Sequence, residues 1–412
     1  MSNDLEDQEL LGRELGRELR RHSQVPGLHP VGLDQVRGRA RRIKRRRQAA
    51  SGLVAAAVLV VAVPVGVNIA GTTSSTDPGF TDRPGPTSVT TPSPAPTKAD
   101  SLALDRLSPG DASAVPYVVS STHELVTPDG AVPMPAAYLQ IVPYNDGWLA
   151  LTEAPQGGID GLMLDGDFSE LKRFPAGEAL AVDASGEHVA YIDYSDGYPL
   201  LVSAPTNGLD PVTWRLPAER TDVPVPVGYA GPDSIVVELE GGMDTGRAFV
   251  AGPGGTVEPL NGFTSIDGVS EDGLVAGQVS YDTSGSAYGV LDTRTGARLW
   301  ETRKFSLGAF SPDGRHLIAG IPDYDGWGSP SLAILDARTH EVVAQFAGPK
   351  DRVAGVTQAA WEDADSVIAA YVDGASMAIV RANLDGSAEL AGDTFAQQDL
   401  DLALWLAPTS RS

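Results

Sequence analysis

Two stretches of this chain read alike: Leu291-Asp292-Thr293-Arg294-Thr295-Gly296 and Leu335-Asp336-Ala337-Arg338-Thr339-His340. Each follows an apolar run and precedes another (Ala297-Arg298-Leu299-Trp300 and Glu341-Val342-Val343). Asp, Thr and Gly between apolar, β-branched runs form hairpin turns. Equivalent turns fall near Asp129, Asp167, Asn207, Gly254 and Asp385. A second turn precedes these, clearest in Phe310-Ser311-Pro312-Asp313-Gly314-Arg315-His316, with relatives at Asp146-Gly147, Ser185-Gly186, Asp233-Ser234, Asp272-Gly273 and Asp365-Ser366. Two hairpins in each repeat of about 43 residues make four strands, and a four-stranded repeat buries its faces only by stacking on neighbours.

The fold class this predicts is all-β, a β-propeller. Six complete blades fit between Ala137 and Ala391. The leftover strands at Val115–Pro135 and Leu400–Ala407 join into a seventh, which closes the ring and removes its edges. Seven is the count favoured, with six or eight left open. The 46 Gly and 31 Pro suit so many turns, and with no Cys the domain holds together without disulfides. The Ser311-Pro312-Asp313-Gly314 turn followed by Leu317-Ile318-Ala319 resembles the repeat of WD40-like and TolB-type propellers over residues 100–410, without a Trp-Asp signature.

The N-terminal quarter has a different character. Residues 48–71 carry no charge, and Ala49–Ala70 is nearly all Ala, Val, Leu and Gly. Twenty-two helical residues span about 33 Å, enough for a bilayer's hydrocarbon core of about 30 Å. Before this segment stand Arg37, Arg39, Arg41, Arg42, Lys44, Arg45, Arg46 and Arg47. Basic residues on that flank keep the N-terminus in the cytoplasm and place the C-terminal domain outside, with the cluster beside the anionic inner leaflet of the cell membrane. The expected divisions are a basic cytoplasmic tail at 1–47, a retained transmembrane helix at 48–71, a Pro/Thr/Ser stalk at 72–99 and the propeller at 100–412. A cleaved signal is the rival reading, but its charged region would be unusually long.

Leu11, Leu15 and Leu19 recur every fourth residue among Arg and Glu, the stripe of a short amphipathic helix that needs a partner to fold. The order of leucine-striped tail, Leu33-Asp34-Gln35-Val36-Arg37, arginine run and Ala/Val helix resembles actinobacterial single-pass proteins linked to extracytoplasmic-function sigma factors. That resemblance implies an anti-sigma-like tail and a sigma factor as cytosolic partner, although the His/Cys zinc motif of many such domains is missing.

Residues 1–47 carry 12 Lys/Arg against 7 Asp/Glu, so the chain's net charge of −24 leaves −29 on the remainder. So acidic a domain repels nucleic acid. Candidate ligand-binding residues stand in loops rich in carboxylates and aromatics: Asp193, Tyr194 and Asp196; Asp323, Tyr324, Asp325 and Trp327; and Tyr144, Asp146 and Trp148. Between the two hairpins of a blade, such loops would share one face and could hold a cation, a sugar or a basic protein. Asp and Gly also build ordinary turns, which is the favoured account. The histidines lack metal-ligand spacing, and no nucleophile motif is present. The expectation is therefore a membrane-anchored binding or scaffold module with a protein or cell-envelope ligand, no catalytic residues, no metal and no cofactor. A transmembrane regulator is the alternative and a surface hydrolase the second.

Overall fold

The computed structural model describes residues 97–183, 185–207, 210–218, 222–240, 247–322, 328–396 and 404–407. The striped tail, the segment 48–71 and nearly all of the stalk lie outside these residues. Among the described residues no helix is long and apolar enough to cross a membrane; two short 3-10 turns, Leu104–Arg106 and Pro253–Gly255, are the helical elements there.

The described strands form six sheets, antiparallel except for one added outer strand in each of two of them, named I to VI in order around the chain. Sheet I joins Leu404–Leu406 to Tyr117–Val119, Glu124–Thr127 and Gly130–Pro133. Sheet II runs through eight strands from Gln140 to Arg215. Sheets III (Val223–Leu260) and IV (Ser265–Thr302) have four strands each, and sheets V (Ser306–Ala347) and VI (Ala354–Ala396) have five. Sheets other than II have the size of one blade. The expectation of seven separate blades is corrected accordingly: five sheets are discrete blades and the remaining eight strands are one continuous sheet. Its two four-stranded halves, Gln140–Ala176 and Ala181–Arg215, meet through the single pairing of Asp193 with Ala176.

Middle strands are apolar on both faces because each sheet is covered on both sides. Ser366–Asp373 is buried at every position, and Val189–Ile192 is buried throughout. Apolar clusters fill each gap in turn: sheet I against the first half of II (Leu125, Ile141, Trp405), the halves of II against each other (Leu149, Phe174, Tyr191), II against III (Trp214, Tyr229), III against IV (Val236, Val275), IV against V (Leu274, Phe310), V against VI (Phe346, Tyr371) and VI against I (Ile379, Leu404). The last gap completes the circle. Tyr117 pairs with Leu406 and Val118 with Trp405, so the end of the chain supplies the first strand of the sheet begun near its start. Such a closed all-β ring is a β-propeller.

Near the axis the first strands of neighbouring sheets approach closely. Bulges recur in Val223–Tyr229, Ser265–Val269, Ser306–Phe310 and Ala354–Trp361. Gly228, Gly268 and Gly308 lie at three of them, and a Cβ on Gly268 would overlap the Gly308 carbonyl. Extra atoms there force backbone movement.

The chain enters the ring by an outer strap that the sequence pattern did not reveal. Thr97–Ser101 adds a parallel fifth strand to Val342–Ala347 of sheet V, beginning within the segment assigned to the stalk. Ser108–Pro109 then adds in parallel to Ala388–Ala396 of sheet VI. Between them Leu102 is fully buried, and the Asp105 carboxylate pairs with Arg352 at 2.8 Å.

Gly268→Ala is expected to lower stability by about 1–3 kcal/mol, the usual range for forced overpacking, whereas Gly166→Ala, where a Cβ would meet nothing closer than 3.6 Å, should cost less. Chemical denaturation of both variants checks the order, and equal losses would refute the close-approach argument.

Candidate binding face

In an antiparallel unit, successive turns fall at alternate ends. Connections between second and third strands, and between one sheet's last strand and the next sheet's first, therefore share one end of the ring; the remaining turns share the other. This separates the sequence candidates. Asp193, Tyr194 and Asp196 border or lie in the loop preceding Leu200–Pro205, while the Asn145 amide bonds to Thr206 just past that strand's far end. Six strand residues at about 3.3 Å each put the two sites roughly 20 Å apart. Asp146 therefore does not share a face with Asp193.

The residues around Asp146 are structural. Asn145 and Asp146 have φ of 52° and 58°, as a tight primed hairpin requires. Tyr144 is buried against Leu180 and Tyr191, and burial raises its phenol pKa. Trp148 stacks on Phe168, with centroids 5.7 Å apart and parallel planes.

In the other loop, the Asp193 carboxylate accepts the Ser195 amide at 2.7 Å, an Asx turn. Tyr194 packs on the cluster around Trp214 and Leu216, and burial pushes its hydroxyl up to about 12. Asp196 and Tyr198 are exposed, with the Arg215 guanidinium 4.6 Å from the Tyr198 ring centre. Asp323, Tyr324, Asp325 and Trp327 lie outside the described residues. Among the described residues that flank them, Ser329 pairs with Val356 of sheet VI, and the Ser329 hydroxyl accepts the Ile321 amide at 3.0 Å.

The face carrying these loops has features that single motifs did not signal. Tyr198, Tyr281, Ile321 and Val353 are 37%, 74%, 42% and 59% exposed. Tyr198, Ile321 and Val353 stand on connections at this end of the ring and Tyr281 near the end of the strand Leu274–Asp282 that leads into one; the other exposed large apolar side chains among the described residues (Leu171, Val212 and Leu299) lie on last strands at the rim. A cleft of about 200 Å³ opens here between sheets V and VI, lined by Ser306, Ser329, Leu332, Val356 and Thr357. A second of about 430 Å³ lies beside Arg352, Asp373, Asp105 and Ser376. Arg352 donates to both Asp373 and Asp105, so its charge is already matched.

The opposite face is built of turns whose acids serve themselves. Asp165 accepts the Asp167 and Ser169 amides, Asp313 accepts Arg315, Asp336 accepts Arg338 and Thr339, and Asp385 accepts Ser387. The repeated Asp is thus a turn former. His188, which follows one such turn, contacts Asp183 of that turn at 2.9 Å. A different carboxylate stands out nearer the axis. Asp267 is the extra residue of the Ile266–Gly268 bulge and remains accessible to water, yet surrounding protein and then the Glu238 charge push it up to about 7.

No protein-family model matches the chain, and no curated protein is similar to it. Solved structures share its general form. The β-propeller domain of Myceliophteria thermophila Cps50 (Swd1) has 10% identity and a TM-score of 0.43, covering 64% of this chain and 87% of that one. TolB from Acinetobacter baumannii has 14% identity and a TM-score of 0.37, over 60% and 61%. A structure from a study of two prolyl endopeptidases has 12% identity and a TM-score of 0.45, over 64% and 43%. The fold assignment rests on the strand pairing rather than on these similarities.

Two opposed pH effects follow. Hydrogen bonds from Arg294, Arg352 and Ser387 hold Asp292, Asp373 and Asp385 below the ordinary carboxylate range. Their stabilisation is present above about pH 4 and is lost as pH falls through the lowered folded values. Asp267 has the reverse sign: its raised pKa gives stability that is present below about pH 4 and lost as pH rises toward 7. Asp267→Asn should therefore raise the thermal midpoint at pH 8 relative to the native chain and flatten the decline between pH 4 and 7. Parallel midpoint curves for the two proteins would contradict the assignment.

Proposed function

We propose that this protein is a membrane-anchored, extracytoplasmic binding scaffold whose propeller docks a protein on the face bearing Tyr198, Tyr281, Ile321 and Val353. The observation that carries the reading is the segregation of these side chains. Exposed apolar groups gathered at one end of an otherwise acidic ring are poorly served by water and are suited to desolvation by a partner. Aromatic anchors of this kind dominate protein interfaces. The acidic balance favours a partner with basic residues at its rim, through faster encounter more than through affinity.

Residues 48–71 are read as the anchor, with N-terminus cytoplasmic, and the Thr/Pro/Ser segment after them as the spacer to the ring. The Leu11, Leu15 and Leu19 stripe supports a second reading in which the tail holds a cytosolic partner such as a sigma factor.

Two experiments test these readings. A photo-crosslinking residue at position 281 should capture an extracytoplasmic protein on intact cells, and one at Asp233 on the opposite face should not; Tyr198→Ser with Val353→Ser should reduce capture at position 281 at least tenfold. Equal capture at both positions would refute the face assignment. For the tail, native residues 1–47 should retain a cytosolic regulator that the triple Leu→Asp variant loses, and equal recovery would remove the second reading.

A further inference from the structure

The innermost strands of sheets III, IV and V approach the next sheet at matching positions. Each strand ends in a turn opened by Ala230, Ser270 or Ser311, whose amides bond to the Ser234, Leu274 and His316 carbonyls. Two residues before these stand Gly228, Gly268 and Ala309. The two glycines are buried; a Cβ on Gly228 would meet the Val269 side chain of the next sheet at 3.0 Å, and one on Gly268 would overlap the Gly308 carbonyl. Position 309 carries the Cβ that those crossings exclude, and Ala309 is exposed. Sheets V and VI therefore stand apart where the earlier sheets touch, and the cleft of about 200 Å³ is the space between them.

Both ends of that space are bridged. At the docking end, Ser329 and Val356 exchange two backbone hydrogen bonds, at 2.9 and 2.8 Å. Toward the other end, the Trp361 indole nitrogen donates to the Ala309 carbonyl at 2.9 Å. Walls fixed in this way need little rearrangement to take a guest. They are built largely of small or aliphatic residues, among them Gly308, Ala319, Gly320, Leu332 and Ala359, and no lining residue is charged. The hydroxyl protons of Ser329 and Thr357 are already given to the Ser331 and Ala370 carbonyls. In an otherwise acidic domain, such a lining selects a neutral, apolar guest. A cavity of about 150 Å³ is enough for a benzene ring, so the cleft has room for one aromatic side chain. Its mouth lies between the connections that carry Ile321 and Val353, which follow Gly320 and precede Ala354.

We propose that the cleft between sheets V and VI is the subsite that receives an aromatic side chain of the docked partner, an inference that rests on the docking reading above. Ile321 and Val353 then flank the inserted ring and keep water from it, as contacts around a buried anchor do.

Fluorine NMR of the full chain in lipid nanodiscs, labelled with fluorotryptophan, tests this with p-cresol as the probe. Trp361→Phe assigns the Trp361 signal at the cleft, and Trp214, buried between sheets II and III, is the reference. p-Cresol should shift the Trp361 signal saturably, leave Trp214 unmoved and bind more tightly than isobutanol. Filling the cleft from either wall, with Ala309→Leu or Ala359→Leu, should weaken p-cresol at least about tenfold at an unchanged thermal midpoint. Ala309→Leu should also reduce crosslinking at position 281 by a similar factor. The absence of a saturable shift in the native chain would overturn the proposal; if the shift then appears in Trp327→Ala, the chain's own loop is the occupant. Tighter isobutanol binding, p-cresol binding that survives both fillings, or crosslinking that survives Ala309→Leu would overturn it as well. Saturable p-cresol binding in a chain that captures nothing at position 281 would uphold the cleft as an aromatic site and refute the docking reading instead.

Discussion

Ring closure is the constraint on which the rest of this structure depends. Each sheet leaves two apolar faces and can bury them only between neighbours, so an open series would expose a face at both ends. The molecule solves this by bringing Leu404–Leu406 back to Tyr117–Val119. Trp405 fills the gap toward the first half of sheet II, and Leu404 and Leu406 fill the gap toward sheet VI. The side chain of Gln358 in sheet VI accepts the Leu406 amide at 2.7 Å, linking adjacent first strands where they crowd around the axis. Glycines at 228, 268 and 308 permit that crowding. The strap adds a restraint at the opposite radius, outside sheets V and VI and next to the point of closure.

Closure also sorts the two ends of the ring. Turns within hairpins at one end are short and repetitive, and their acids bond to their own backbone. The connections at the other end vary in length and content, and so they can carry aromatic side chains and clefts without disturbing the sheets. The proposed docking surface belongs to the end where variation is structurally cheapest.

Much of this architecture was legible in the sequence because turn chemistry is local. The paired Leu-Asp turns, Ser311–Gly314 and the leftover strands at both chain ends led to a closed ring of four-stranded units, and the carboxylates at Asp313, Asp336 and Asp385 fill the turn roles that their spacing suggested, while in the turn placed near Asp167 the accepting carboxylate is that of Asp165. The continuous pairing across sheet II was not legible, because it hangs on Asp193 and Ala176, two residues with no pattern of their own. Parallel addition of Thr97–Ser101 was hidden for a similar reason: a strand that borrows its partner from residues far along the chain leaves no alternation nearby. The grouping of Tyr144, Asp146 and Trp148 with Asp193 failed on parity. A likeness of composition could not show that one loop follows a first strand and the other a second. Nor does a single motif announce Tyr281 or Val353, since an exposed apolar residue is recognisable only once the buried ones are known.

The central claim is that the C-terminal strand closes the ring, and ending the chain after Ala396 tests it directly. Thermal unfolding followed by tryptophan fluorescence, with size-exclusion chromatography alongside, should show the cooperative transition lost and the protein associating through the uncovered faces of sheets I and VI. A sharp transition at the native midpoint, from a protein eluting as the native chain does, would contradict closure as the basis of the fold.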